Sequence, residues 1–202
     1  MDLLKLNEKF YLKIQAYFNR SRQMPWNGWK KLLPFLQGPS LQVLDLGCGN
    51  GRFGIWLAKH RQIEYTGLDN NQFLLDQIPF GRLIKQDLTQ PWNLKAKVDL
   101  VAILGVMHHL PKPYRLQLLK RAVTHLQPGG ILFLSFWEFD PAKGKSLGSH
   151  DYLLPWKLGV IAERYCHLYS KPEIDALIKP LKLNLLANFR ADASNRYLVL
   201  QK

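Results

Sequence analysis

The 202-residue chain contains few cysteines and no long apolar segment. Its two cysteines, Cys48 and Cys166, are far apart and form no CxxC motif, which excludes a disulfide framework and a zinc-ribbon pattern. The longest apolar run, Leu100–Met107, is much shorter than a membrane span. The first residues alternate polar and apolar side chains, unlike a signal peptide. We therefore expect a cytoplasmic protein with no membrane contact and no metal site.

Acidic residues are also scarce, because 15 Asp and Glu face 28 Lys and Arg, giving a net charge of +13. The excess lies mainly in the flanks, where residues 1–40 and residues 141–202 each carry a net charge of +5. A basic excess on flanking segments indicates an anionic partner such as nucleic acid. The alternative is a basic surface without a specific partner.

The most informative stretch is Gln42–Arg52, which reads QVLDLGCGNGR. It is typical of a buried strand, a glycine turn and the start of a helix. Gly49–Gly54 also matches the GxGxxG fingerprint of dinucleotide-binding proteins. Asp45 argues against that ligand, because a carboxylate at the strand end repels a pyrophosphate and favours an ammonium or a sulfonium. The pattern therefore favours S-adenosylmethionine (SAM) over NAD, with a ligand-free structural turn as the alternative.

Two further acidic residues follow predicted strands. Asp69 ends the strand Glu64–Leu68 and is placed to accept hydrogen bonds from ribose hydroxyls. Asp87 follows the strand Arg82–Gln86 and is predicted to accept from an adenine amino group, with the Leu88 backbone beside it. The alternative for Asp87 is a turn cap.

The most apolar strand, Val98–Leu104, is followed by Gly105 and by the histidine pair His108 and His109. Ligands of doubly wound sheets lie across the carboxyl ends of the strands, so this loop is predicted to lie over the site. The two histidines would orient a substrate or cover a cofactor. The alternative is a packed pair without a catalytic role.

Alternating helical and strand patterns predict one α/β domain over residues 1–202. Residues 1–40 form a helical extension, and residues 138–170 form an irregular insertion that covers the substrate. Residues 181–189 and 195–200 are predicted to close the sheet as an antiparallel pair.

The motifs VLDLGCGNGRF, Asp69, Asp87, the HHL segment and LQPGGILFLSFW together resemble the class I SAM-dependent methyltransferases. The resemblance implies a Rossmann-like seven-stranded sheet with helices on both faces, and SAM as cofactor. The residues expected to bind the cofactor are Asp45, Gly47, Cys48, Gly49, Asn50, Asp69, Asn70, Asp87, Leu88, Leu104, Gly105 and His108.

The flanking motifs FNRSRQMPW, DYLLPW, RYCHLYSKPEI and NRYLVL are similar to the eukaryotic tRNA wobble-uridine carboxyl methyltransferases. That family esterifies 5-carboxymethyluridine in the anticodon stem-loop and relies on a small zinc-binding activator subunit. The residues that fall on its motifs are Arg22, Pro25, Trp26, Pro155, Trp156, Arg164, Tyr165, His167 and Tyr169. Two positions depart from the family pattern, since Cys166 replaces a tyrosine and Arg196–Tyr197 replaces a tryptophan-rich pair.

The implied chemistry is displacement at a sulfonium methyl by a carboxylate oxygen. A carboxylate is already ionised at neutral pH, so no general base is needed. Arg22 and Arg164, with His167 or Tyr169 as further donors, are predicted to hold the acceptor carboxylate. One alternative is a methyltransferase for a small acidic or lipid metabolite. Another is a binding subunit of the same fold that lacks catalysis.

Overall fold

The computed structural model describes residues 1–202 and contains a seven-stranded sheet. Its strands are β1 (Ser40–Leu46), β2 (Gln62–Asp69), β3 (Arg82–Lys85), β4 (Val98–Ile103), β5 (Leu126–Trp137), β9 (Asn184–Ala191) and β10 (Asn195–Gln201). They are ordered β3-β2-β1-β4-β5-β10-β9. Strands β1 to β5 run parallel, and β10 is antiparallel to both β5 and β9. The predicted sheet and its closing antiparallel pair are therefore present.

Both faces of the central strands are buried, which explains their nearly continuous apolar sequences. In β1, Leu44 and Leu46 join the core on one face of the sheet, whereas Leu41 and Val43 join the core on the other. Successive side chains of a strand point to opposite faces, so an apolar residue is needed at almost every position.

Five α-helices accompany the sheet. They are α1 (Leu3–Ser21), α2 (Arg52–Ala58), α3 (Gln72–Leu75), α4 (Lys112–His125) and α5 (Lys171–Ile178). Helix α4 packs Leu118 and Ala122 into one core, and α2 packs Phe53 and Leu57 into the other. Helices thus cover both faces of the sheet. None of them combines the length and apolar character that a bilayer span requires.

Two local elements are irregular. Residues Asn27–Phe35 of the N-terminal extension form a 3-10 helix, and Pro34 inside it removes a backbone donor. Strand β5 begins at Leu126 and includes Gln127–Gly130, although a Pro-Gly-Gly sequence favours a turn. Gly129 has a φ of +78°, and the register with β4 shifts in this region, so an irregular pairing absorbs the glycines.

The insertion at residues 138–170 is more regular than its sequence predicts. It folds into a three-stranded antiparallel sheet of β6 (Lys145–Gly148), β7 (Asp151–Trp156) and β8 (Ala162–His167). Ser149 and His150 adopt positive φ values and form the turn between β6 and β7. Because neither residue is a glycine, the sequence gives little sign of this turn.

Helix α1 is joined to the free edge of β8 by Asn7. The Asn7 side chain accepts from the Tyr165 backbone N–H at 2.8 Å and donates to the Tyr165 carbonyl at 3.1 Å. It thereby pairs both backbone groups of Tyr165, as a neighbouring strand would. The N-terminal helix and the insertion consequently form one continuous wall beside the sheet.

Candidate functional site

A cavity of about 1360 Å³ lies at the carboxyl ends of β1, β2 and β4. The loops after these strands form its floor, and α1 and β8 cover it from one side. The turn between β9 and β10 contributes Asp192, Ser194 and Asn195 from another side. A cavity of this size at this edge of a doubly wound sheet is where such folds bind their ligands.

The glycine loop is tight, and several of its backbone donors are already used. Gly47 has a φ of +75°, and a Cβ there would clash with Val106 Cγ2, so only glycine fits. The N–H groups of Gly47 and Cys48 donate to the Leu68 carbonyl, and that of Gly49 donates to Asp69. These groups are therefore not free to bind a pyrophosphate, in agreement with the sequence argument against NAD.

Asp45 is a buried carboxylate with no cation beside it. Its side chain is 2% exposed and accepts a 2.8 Å hydrogen bond from the Tyr65 hydroxyl. Burial, together with the nearby Asp69 carboxylate, raises the pKa of Asp45 to about 7. A buried carboxylate without a counter-ion is costly, and a cationic group bound in the cavity would relieve that cost.

The other two acidic residues are held by turns at the rim of the cavity. Asp69 accepts from the backbone N–H groups of Gly49 at 2.8 Å and Asn71 at 2.9 Å, and burial raises the pKa of Asp69. Asp87 Oδ1 accepts from the Thr89 backbone and hydroxyl at 2.8 and 2.7 Å. Asp87 is thus a turn cap, as the alternative interpretation stated, and it also lines the cavity.

All the residues predicted to bind the cofactor line this one cavity. They are Asp45, Gly47, Cys48, Gly49, Asn50, Asp69, Asn70, Asp87, Leu88, Leu104, Gly105 and His108. Three of them are carboxylates that can accept hydrogen bonds, which fits a ligand with a positive charge and ribose hydroxyls. Contact with the cofactor itself stays a prediction for each of them.

The histidine pair is neutral, with His108 buried and His109 half-buried. His109 Nδ1 lies 3.0 Å from the Tyr165 carbonyl, so it carries the proton, and Nε2 accepts from the Tyr11 hydroxyl at 2.8 Å. Burial lowers the pKa of His109 to about 3 and that of His108 well below its usual range. His108 Nδ1 is buried without a partner in the protein. Both histidines line the cavity; the ring nitrogens of His109 are paired within the fold, whereas His108 Nδ1 is not.

One cluster has the side chains of a metal site but an unfavourable charge. The ligand atoms of His108, His109 and Cys166 lie within 4.8 Å of one another. Both ring nitrogens of His109 already have partners, and burial raises the pKa of the Cys166 thiol to about 12. The adjacent Arg164 guanidinium further disfavours a cation.

Arg22 and Arg164, predicted from the flanking motifs, come together at the cavity. Their guanidinium carbons lie 5.6 and 5.8 Å from the centroid of the Trp156 ring. Neither arginine forms an ion pair, and Arg164 Nε is buried without a partner. Burial and the charge of Arg164 lower the pKa of Arg22. Two unpaired, mutually repelling guanidiniums are suited to bind an anion, and we refer to Arg22 and Arg164 below as the anion site.

Aromatic rings border this anion site. Arg164 also lies 4.9 Å from the Trp137 ring centroid, and the Trp137 Nε1–H donates to the Ser194 hydroxyl at 3.1 Å. Trp26 lines the cavity beside Gly105. The flat indole faces are suited to stacking on a planar ring.

His167 and Tyr169 were predicted to help hold the acceptor carboxylate, but neither side chain lines the cavity. His167 Nδ1 donates to Asp151 at 2.6 Å, and the Tyr169 hydroxyl donates to the Met107 carbonyl at 3.0 Å. Both side chains are buried, at 2% and 6% exposure, and His167 Nε2 forms no hydrogen bond, although it lies 3.3 Å from Glu173 Oε1. They position the insertion rather than meet a substrate.

Asp151 is the centre of that buried polar network. It accepts from the Tyr165 hydroxyl at 2.7 Å and from His167, and Arg115 lies 3.5 Å away.

Replacing Asp151 with alanine should lower the free energy of unfolding by about 2–4 kcal/mol, because three buried partners lose their acceptor. Urea denaturation measures this change. The matched control is Asp175→Ala, which removes an exposed pair with Lys171 and should cost less than about 1 kcal/mol; equal effects would contradict the network's role.

Several residues of the site carry little signal in the sequence. Asn7, Tyr11, Trp137, Ser194 and Asn195 all line the cavity. Asn7 left a weak signal, since a polar residue stands on the apolar face of α1 between Leu6 and Phe10. Tyr11 was predicted only to lie in the N-terminal helix, and the other three only to lie in strands or in the turn between them.

The chain is similar in sequence to proteins described as methyltransferases. The family model described as "Methyltransferase domain" matches residues 18–187. A protein of Encephalitozoon cuniculi, provisionally described as a methyltransferase, is 29% identical over 80% of this chain and 79% of its own length. The mouse tRNA (carboxymethyluridine(34)-5-O)-methyltransferase is 27% identical over 69% of this chain. This chain spans only 21% of the length of the mouse protein.

A solved structure confirms the predicted fold. The crystal structure of a SAM-dependent methyltransferase from Clostridium acetobutylicum superposes with a TM-score of 0.72 at 15% identity. The superposition covers 95% of this chain and 98% of the other. The SAM dependence of that enzyme agrees with the cofactor predicted from the glycine loop.

Proposed function

The chain belongs to the methyltransferase domain family. We propose that it transfers a methyl group from SAM to the carboxylate of a 5-carboxymethyl-type wobble uridine in tRNA. The product is the methyl ester. The observation that carries the proposal is the pair of unpaired guanidiniums, Arg22 and Arg164, at the cavity that also holds the predicted cofactor residues.

The residues of the cavity fit SAM in charge and in hydrogen-bonding capacity. Asp45, buried and without a counter-ion, would hold the ammonium group, and Asp69 would accept from the ribose hydroxyls. Asp87 Oδ2 has no partner in its turn and would accept from the adenine amino group, with Leu88 beside it. Bound SAM supplies an electrophilic sulfonium methyl group.

The chain's own residues would then position the acceptor. Arg22 and Arg164 hold one carboxylate oxygen and leave the other to attack the methyl carbon. The indoles of Trp137 and Trp156, together with α1, exclude water from the anion site. An acceptor carboxylate of ordinary pKa is already ionised, so the neutral His108 and His109 need not remove a proton. Orientation of the two reacting groups supplies the main rate effect, worth up to about 7–11 kcal/mol in ideal cases.

Several observations support tRNA as the acceptor. The basic flanks carry most of the net charge of +13, and each flank contributes one arginine, Arg22 or Arg164, to the anion site. The mouse relative is named for the same uridine modification. The flanking motifs that resemble the wobble-uridine enzymes supply Arg22 and Arg164 to the cavity, and Trp156 lies beside both guanidiniums. A small activator subunit and a cytoplasmic location stay predictions from the sequence.

The direct test is radiolabelled methyl transfer from SAM to bulk tRNA, followed by nucleoside analysis with and without mild alkali. An alkali-labile label on a uridine supports carboxyl methylation. An alkali-stable label in tRNA contradicts the carboxylate acceptor. Absence of label from tRNA, with SAM still bound, favours a small acidic metabolite as acceptor or a missing partner subunit.

Activity on tRNA should fall steeply with salt. Each phosphate neutralised by a lysine or arginine contributes about −0.7 to −0.9 to the slope of log affinity against log salt. We therefore expect a slope of several units for kcat/KM on tRNA between low and moderate potassium chloride. Transfer to the free carboxymethyl nucleoside serves as the control and should change far less. A flat response on tRNA would favour the small-metabolite alternative.

A further inference from the structure

Asn195 is a buried polar residue whose side chain is only partly hydrogen-bonded within the protein. It begins β10, lies opposite Trp137 of β5, and is 7% exposed. Its carboxamide lines the cavity and contacts the Tyr197 hydroxyl on one side. The rest of its hydrogen-bonding capacity is open to a ligand in the cavity.

The neighbourhood of Asn195 sets the orientation of its amide. The Tyr197 hydroxyl donates its hydrogen to Asp192 at 2.8 Å, so towards Asn195 it can only accept. The Asn195 NH₂ group therefore turns towards Tyr197. The carboxamide oxygen is left facing the cavity as a hydrogen-bond acceptor.

The adjacent Ser194 offers the opposite group. Its hydroxyl oxygen accepts from Trp137 Nε1–H, and its own hydrogen has no acceptor in the protein. Ser194 and Asn195 thus present a donor and an acceptor side by side. Arg164 lies over the same Trp137 ring, so this pair and the anion site border one indole.

We infer that Ser194 and Asn195 read the uracil edge of the acceptor, a conclusion that rests on the proposed function. The Ser194 O–H donates to the C4 carbonyl, and the Asn195 oxygen accepts from the ring N3–H. In a 5-carboxymethyluracil the N3–H is next to the C4 carbonyl, and C4 is next to the carbon that bears the carboxymethyl group. One ring can therefore reach Ser194 and Asn195 with its edge and the two arginines with its carboxylate. The corresponding cytosine presents an unprotonated N3 to Asn195 and an amino group to Ser194, and it mismatches the pair.

The test compares two acceptors in one synthetic anticodon stem-loop, with 5-carboxymethyluridine or 5-carboxymethylcytidine at the same position. Wild-type protein should favour the uridine by about 10- to 100-fold in kcat/KM, because the mismatch leaves buried polar groups unpaired. Asn195→Ala should reduce this preference to within a few-fold while SAM affinity is retained. A structural role would lower transfer to both acceptors equally and leave their ratio unchanged.

Asn184→Ala, on the exposed face of β9, is the matched control and should keep the wild-type ratio. Equal wild-type rates on the two acceptors would overturn the role of Ser194 and Asn195 while leaving the proposed function intact. An unchanged ratio in Asn195→Ala would overturn it too. Transfer by the wild-type protein to neither acceptor would overturn the proposed function, and this inference with it. The wild-type comparison decides the matter even if the Asn195 variant is unstable.

Discussion

Replacing Arg164 with methionine is expected to lower kcat/KM for the carboxylate acceptor by about 100-fold or more, with SAM affinity nearly unchanged. The guanidinium has no ion pair in the protein and lies over the rings of Trp137 and Trp156. Its loss removes half of the anion site and leaves the packing surface of the side chain in place. Initial rates of methyl ester formation, with calorimetric titration of SAM, measure both quantities.

Two further variants sharpen this result. Arg164→Lys keeps the charge but loses the planar fork, so we expect intermediate activity. Arg82→Met, on the exposed edge strand β3, removes a positive charge outside the cavity and should leave transfer to the nucleoside unchanged. A parallel loss of SAM binding in Arg164→Met would place this residue in the cofactor site instead. Unaltered transfer would remove it from the acceptor site.

Asp45→Asn should weaken SAM and stabilise the ligand-free protein at the same time. Loss of a buried carboxylate that pairs with an ammonium group costs about 2–5 kcal/mol in binding, which is at least about 30-fold in Kd. The ligand-free protein instead gains, because the pKa of Asp45 is raised to about 7 in the fold and ionising it there is unfavourable. At pH 8 we expect the variant to unfold several degrees higher than the wild type.

The pH dependence follows from the sign of this shift. Between the ordinary pKa of aspartate and about pH 7, the folded state holds a proton that the unfolded state has released. Wild-type stability therefore falls as pH rises through this window, and SAM affinity rises over the same window as Asp45 ionises. Thermal unfolding and SAM titration from pH 5 to pH 9 measure both trends. Asp76→Asn, which removes an exposed carboxylate outside the cavity, is the control. An Asp45→Asn pH profile that matches that of the wild type would refute the assignment of these trends to Asp45.

The cofactor half of the cavity could be predicted from the sequence more completely than the acceptor half. The cofactor residues follow strand ends within short motifs, and parallel strands bring their carboxyl ends to one edge of the sheet. Asp45, Asp69 and Asp87 could therefore be placed together without any knowledge of tertiary contacts. Their hydrogen bonds to Tyr65, Gly49 and Thr89 could not, since these depend on the exact geometry of the turns.

The acceptor half depends on contacts between distant segments. Arg22 and Arg164 were found through the resemblance of the flanks, but their common partner Trp156 only becomes evident in the fold. His167 lies near Arg164 in sequence and yet is turned away, because alternate residues of β8 point to opposite faces. Asn195 gave no signal, since its burial results from pairing of β10 with β5.

The hydrogen bonds of Asn7 also bear on how acceptor specificity could be transplanted between relatives. The wall beside the cavity is built from helix α1 and the insertion, which are separated in sequence but share the backbone pairing at Tyr165. A chimaera that exchanges residues 138–170 alone would leave the edge of β8 facing a helix that was not shaped for it. The segments that must be exchanged are therefore discontinuous in sequence, and α1 has to be replaced together with the insertion for a new acceptor pocket to form.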